Sequence, residues 1–134
     1  MVIEIDWTFL AERAWAARAQ SYAPYSKFAV GAALLAESGE VYSGCNVENV
    51  SFGLTICAER SAVVAAVQAG CRRFSGIAIV ADTDSPLVPC GACRQFLAEF
   101  EPSLPIHTVG RGGVARSWLL SDLLPLPFAG ISVG

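Results

Sequence analysis

Charge is scarce in this chain: only 16% of its 134 residues are Asp, Glu, Lys or Arg, against 54% apolar. That balance excludes a disordered chain, which needs few hydrophobes and much charge. Basic patches are missing as well. The nine Lys and Arg are scattered, Arg72-Arg73 being the densest cluster, and the formal net charge is −3. A protein that binds a nucleic acid strand carries a basic footprint, so a small-molecule partner is expected instead. No apolar run reaches the roughly 18 residues of a membrane span. The first residues, MVIEIDW, are acidic where a secretion signal is basic. No membrane partner and a cytoplasmic location are therefore expected. No glycine-rich phosphate loop of either common pattern is present, and no nucleotide cofactor is expected. Internal repeats and low-complexity stretches are also lacking. The single histidine, His107, lies far from every motif below and reads as structural or exposed.

Cysteine is present in an odd number, five, which argues against a complete disulfide framework. In a reducing compartment, clustered cysteines point to metal or catalysis first. The length suits one domain, residues 1–134, with a real core and no room for a second. A mean hydropathy of +0.49 is high for a small monomer. It reflects either a well-filled core or a buried interface between subunits.

Residues 5–20 carry apolar side chains at helical spacing (Ile5, Phe9, Leu10, Ala14, Ala17), with Asp6 as a cap. Residues 21–27 read as a loop around Pro24. Two runs, 28–36 and 41–45, flank a turn at Ser38-Gly39 and form a hairpin. Residues 46–55 are polar and irregular. Residues 56–69 form an alanine-rich helix ended by Gly70. A buried strand spans 74–81, a loop 82–89, and a helix 90–100 stops before Pro102. Strands follow at 105–109 and 114–118, then a helical turn at 121–124. The alternation after residue 55 implies crossover units. The expected fold is α/β: one layered domain with a central mixed β-sheet of about five strands flanked by helices.

Three cysteines stand out by context. Cys57 opens one predicted helix in TICAER; Cys90 and Cys93 open the next in VPCGACRQ. C-x-x-C at a helix start puts two sulfurs about one turn apart, where free N–H groups favour thiolates. If both helices start at the same sheet edge, the three sulfurs converge. Three protein ligands leave one tetrahedral position open, the mark of a catalytic zinc site. Soft thiolates select zinc over magnesium or calcium. Arg60 and Arg94 adjoin the ligands, and one or both are expected to donate to the thiolates. Taken alone, C-x-x-C is also compatible with thiol redox chemistry. A closed structural zinc module would need a fourth ligand, for which only Cys45 offers itself. Cys45 and Cys71 otherwise read as small buried hydrophobes or surface thiols.

Glu59 lies two positions after Cys57, a spacing that does not share a helix face. In a first turn it can still bend around the helix end toward the ion. A carboxylate beside an activated water can take its proton and deliver it elsewhere. Without the cysteines, Glu59 would read as a residue stabilising the helix dipole.

These residues resemble the zinc-dependent deaminase signature, here Cys57-Ala58-Glu59 and Pro89-Cys90-Gly91-Ala92-Cys93. The three-cysteine ligand set, the short chain and CAER look like the small homotetrameric cytidine deaminases. YAPYSKFAVGAAL at 22–34, GCNVEN at 44–49, CGACRQ at 90–95 and LLPLPF at 123–128 are similar to family segments, in the same order. The resemblance implies a cytidine deaminase-like fold, one zinc ion per chain, and hydrolysis of cytidine and 2′-deoxycytidine. It implies Glu59 as proton shuttle and Arg60 as the residue tuning the thiolates. It places Phe28 near the pyrimidine, Asn46 and Glu48 on the ribose 3′-hydroxyl, and the Ala58 backbone on the base. Phe128 would stack on the ring from a neighbouring subunit of a homotetramer, with active sites at subunit interfaces. Phe28 and Phe128 also fit a plain core role, and Asn46 and Glu48 a turn. The loop lacks a cationic cluster, which favours nucleosides over nucleotides. Two departures stand out: Phe52 where tyrosine is common, and Val88 where serine or alanine is usual. A deaminase of another aminopyrimidine, such as blasticidin S, would share the metal site and differ in the pocket.

Overall fold

Five strands make one mixed sheet in the order β2-β1-β3-β4-β5: β1 (Val30–Ala36), β2 (Val41–Cys45), β3 (Phe74–Ala81), β4 (Pro105–Val109) and β5 (Ala115–Leu119). The computed structural model describes residues 4–130. Only β3 and β4 run parallel; β1 is antiparallel to both β2 and β3, and β5 to β4. The helices are α1 (Trp7–Arg18), α2 (Ala58–Gln68), α3 (Gly91–Ala98) and the short α4 (Leu120–Leu123). The parallel pair needs a crossover, and α3 supplies it between β3 and β4.

Alternation along the strands sorts the helices into two layers. Ala32 and Leu34 of β1, with Ile77 and Ile79 of β3, bury against Ala58, Ala62 and Val63 of α2 and Leu97 of α3. Ala33 of β1, with Ala78 and Val80 of β3, faces Leu10 and Ala14 of α1. A central strand buried on both faces reads as a continuous apolar run, as 74–81 does. Each fully buried Leu or Ile contributes about 1.5–3 kcal/mol. Small residues bring the layers close. A Cβ at Gly44 would lie 2.5 Å from the Ala62 nitrogen and 2.6 Å from the Ala58 oxygen, so α2 rests directly on β2.

The expected elements are all present, with shifted ends. Asp6 caps α1 by accepting a hydrogen bond from the Phe9 N–H at 3.0 Å, so the helix starts at Trp7 rather than residue 5. Helix α2 starts at Ala58 rather than 56, because Cys57 is its extended N-cap (φ −73°, ψ 156°). Cys90 likewise caps α3. Gly70, at φ +98°, turns the chain after α2. Among the described residues, no helix is long and apolar enough to cross a membrane.

Candidate active site

Strand register decides which loops meet. Val30 at the start of β1 pairs with Ala81 at the end of β3, and Gly31 pairs with Cys45 at the end of β2. Phe28, Asn46 and Thr83 therefore emerge at one edge of the sheet. Helices α2 and α3 pack on the same face, so their N-termini end at that edge too.

There the sulfurs of Cys57, Cys90 and Cys93 lie within 4.8 Å of one another. The Cys57 and Cys90 Sγ atoms are 3.9 Å apart. Zn–S bonds of about 2.3 Å in a tetrahedron place sulfurs about 3.8 Å apart, so these three side chains fit the ion. Among the described residues the group contains no fourth ligand, and Cys45 stands outside it. The separation far exceeds a disulfide bond. Cys90 and Cys93 occupy the N-cap and third position of α3, so C-x-x-C spans one turn. Two helix N-termini face the cluster and favour negative charge.

Arg60 donates from Nη2 to Cys57 Sγ at 3.5 Å and to the Thr55 carbonyl at 3.2 Å. Its Nε is buried without a partner among the described residues, a spare donor beside thiolates. The Cys57 thiol is pushed down to about 5, first by a hydrogen bond with Cys93 and then by Arg60. Cys93 is pushed up by the same hydrogen bond with Cys57 and by burial. Of the two arginines only Arg60 meets sulfur: Arg94 donates from Nε to the Pro89 carbonyl at 2.8 Å and from Nη1 to the Leu123 carbonyl at 3.1 Å. Pointing along α3 toward the chain, it supports backbone rather than sulfur.

A cavity of about 420 Å³ opens beside the cluster, lined by Phe28, Asn46, Cys57, Ala58, Glu59 and Cys90, and also by Thr83, Leu87 and Val88 of the segment before Cys90. Its size lies within the range that takes small ligands. Glu59 is only 4% exposed. Burial raises its pKa, the Cys57 charge adds to that, and hydrogen bonds from its own N–H and from Cys93 oppose it. A proton is therefore held more readily there than on a surface carboxylate.

The other expected residues divide. Asn46 is buried: its Oδ1 accepts from the Val30 N–H at 2.9 Å and its Nδ2 donates to the Phe28 carbonyl at 2.8 Å. Glu48 lines an adjoining cavity with Tyr25, Ser26, Phe52 and Thr55. Its carboxylate accepts from the N–H groups of Tyr25 (3.1 Å) and Ser26 (3.0 Å) and from the Ser26 hydroxyl. Phe52 packs edge-on to Tyr25. Phe128 does not line its own chain's cavity; it is 69% exposed, with its backbone clasped by the Gln95 amide. His107 is half-buried, stacked on Trp7 at 5.1 Å and within 3.0 Å of the Ser117 hydroxyl. Cys45 and Cys71, expected to be either buried or at the surface, are half-buried and stand outside the cluster. Sequence reasoning missed Thr83 and Leu87. Their one signal was that loop 82–89 runs directly into Cys90.

A three-thiolate centre open to a cavity, with a buried carboxylate in the adjoining helical turn, defines the class: a zinc-dependent α/β deaminase. The model of the cytidine and deoxycytidylate deaminase zinc-binding region matches residues 6–107. The cytidine deaminase of Sporosarcina psychrophila is 51% identical over 114 residues, 84% of each chain. That of Mycobacterium tuberculosis is 47% identical over 127 residues, 93% of this chain and 91% of the other. The crystal structure of cytidine deaminase from Burkholderia pseudomallei superposes with a TM-score of 0.89 at 47% identity, covering 92% of this chain and all of that one. The chain belongs to the cytidine and deoxycytidylate deaminase family.

Proposed function

We propose that this chain hydrolyses cytidine and 2′-deoxycytidine to uridine and 2′-deoxyuridine with release of ammonia, in cytoplasmic pyrimidine salvage. The observation that carries the reading is the cluster of Cys57, Cys90 and Cys93 opening onto the cavity that buries Glu59. The three cysteines hold one zinc ion per chain. When bound, zinc would supply Lewis acidity beside the cavity and lower the pKa of water there.

The remaining steps fall to the chain's own groups. Glu59 accepts the proton that the water gives up and passes it to the pyrimidine ring nitrogen beside the amino-bearing carbon. It then carries the second proton to the amino group, which departs as ammonia. Water supplies the oxygen and both protons, so cytidine plus water balances uridine plus ammonia. Phe28 packs against the pyrimidine, and the Ala58 backbone holds the base. Asn46 and Glu48 bind the ribose 3′-hydroxyl. Support for the Asn46 role is its place in the cavity wall; Glu48 reaches the sugar only at the junction with its own cavity, where Thr55 lines both.

The assembly is a homotetramer with active sites at subunit interfaces, and Phe128 stacks on the base of a neighbour. Exposed Val50, Phe52, Leu54, Leu126 and Phe128 support this, since water is a poor resting place for that much apolar surface. Purified protein incubated with cytidine should release ammonia and uridine in equal amounts, and a zinc chelator should abolish both. Turnover that survives complete removal of zinc would overturn the reading.

A further inference from the structure

The cavity wall carrying Thr83, Leu87 and Val88 belongs to residues 82–89, a segment without helix or strand. Such a segment keeps its shape only where its ends are tied. Next to Cys90, the tie is Arg94, through the Pro89 carbonyl. Next to β3, the tie is Arg111, which the chemistry above leaves unused.

Arg111 opens the turn Arg111–Gly113 after β4, the parallel neighbour of β3. Its backbone N–H donates to the Thr83 carbonyl at 2.6 Å. Its Nε donates to Asp82 Oδ1 at 2.8 Å, its Nη1 to Asp84 Oδ1 at 2.7 Å, and its Nη2 to the Asp82 carbonyl at 3.3 Å. One residue thus grips three consecutive residues, and the middle one lines the cavity. Among the described residues, the only ion pairs are these two. Gly110 presses the turn home, since a Cβ there would lie 2.6 Å from the Thr83 oxygen.

We propose that Arg111 is a positioning residue for substrate affinity, clamping Asp82 and Asp84 so that Thr83 stands against the bound nucleoside. The proposal rests on the reading that this cavity takes the nucleoside. Because Arg94 holds the Cys90 end independently through the Pro89 carbonyl, loosening Arg111 displaces the Thr83 end and leaves the sulfurs and Glu59 in place. Affinity falls while the chemical step is spared. The paired side chains are more than half exposed, so the clamp weakens as salt screens it.

The test uses the zinc-loaded enzyme with cytidine at low and high salt. Arg111→Ala should raise KM about three- to tenfold with kcat within about twofold and zinc per chain unchanged. Wild-type KM should climb with salt toward the variant's value, and the variant's should stay flat. Arg111→Lys should fall between, because an ammonium cannot fork to both carboxylates. An unchanged KM, or a fall in kcat at constant KM, overturns the proposal. Should Arg111→Ala fail to fold, Asp84→Asn removes only the outermost partner and should raise KM about twofold; no rise overturns it. Amide hydrogen exchange at residues 82–89 should quicken in either variant, whatever the substrate, and unchanged exchange sinks the clamp. Wild-type enzyme that leaves cytidine intact would instead sink the functional reading alone.

Discussion

Cys57 and Cys90 are 33 residues apart in the chain, and their sulfurs are 3.9 Å apart in space. Each caps a different helix, and both helices end at one edge of the sheet. Replacing either by serine leaves two sulfurs and a hard oxygen. Zinc affinity should then fall by more than about a hundredfold, beyond the usual effect of losing an outer partner. Competition with a chromogenic chelator measures it, and full retention of zinc by Cys57→Ser would refute the site.

Glu59→Gln keeps the volume of a buried side chain but cannot carry a proton. Turnover of cytidine should drop about 10²- to 10⁴-fold, the range of general acid–base contributions. Zinc content should stay at that of the wild type. A loss of less than about tenfold would assign the proton transfers elsewhere.

Arg60 touches Cys57 through Nη2. Arg60→Gln should lower zinc affinity or kcat by about 10- to 100-fold, as losses of such outer partners do. Metal-dependent turnover at rising zinc concentration separates the two effects. Neither changing would mean that Arg60 serves only the Thr55 carbonyl.

Gly44 lies under the first turn of α2. Gly44→Ala forces the Ala58–Ala62 backbone off β2, costing about 1–3 kcal/mol by overpacking. Denaturant unfolding reads the loss. Cys57 immediately precedes that turn, so zinc affinity should fall as well. A variant as stable as the wild type would show that α2 can shift freely.

Glu48 has its carboxyl held below the usual range, first by the Ser26 hydroxyl and then by the Ser26 N–H. The unfolded chain therefore binds this proton at higher pH than the folded one. The stabilisation is whole above the ordinary carboxylate range and is lost as pH falls through the lowered folded value. The Tm gap between wild type and Glu48→Gln should be widest near neutrality and close in acid. A gap independent of pH would mean that the carboxylate charge contributes nothing to the clamp on Tyr25 and Ser26.

Several parts of the site were readable from the chain because they are local. C-x-x-C at a helix start spans one turn wherever the helix lies, so Cys90 and Cys93 were bound to be neighbours. Glu59 looked misplaced at two residues from Cys57, since that spacing belongs to opposite helix faces. The structure removes the conflict: Cys57 is extended, outside the helix, so helical counting does not start until Ala58.

Side-chain choice at longer range was not readable. Arg60 lies three residues after its capping cysteine and Arg94 four after its own, and one meets sulfur while the other meets the Pro89 and Leu123 carbonyls. The rotation of each helix against the sheet decides that, and packing of the buried alanines and leucines sets the rotation. Glu48 and Asn46, two residues apart, fall into separate cavities for a similar reason: the irregular segment folds back on Tyr22 and Ile56 through bridges at Val47.

The amino-acid order by itself determined the elements, the ligand types and the chemistry on offer, because periodicity, capping and thiolate softness act within a turn or two of chain. Tertiary structure alone decided that Cys57 joins the other two sulfurs, that Thr83 walls the cavity and that Arg111 holds it there. Those distances come from strand register and from two helices sharing one face of a sheet, and neither is a property of any short segment.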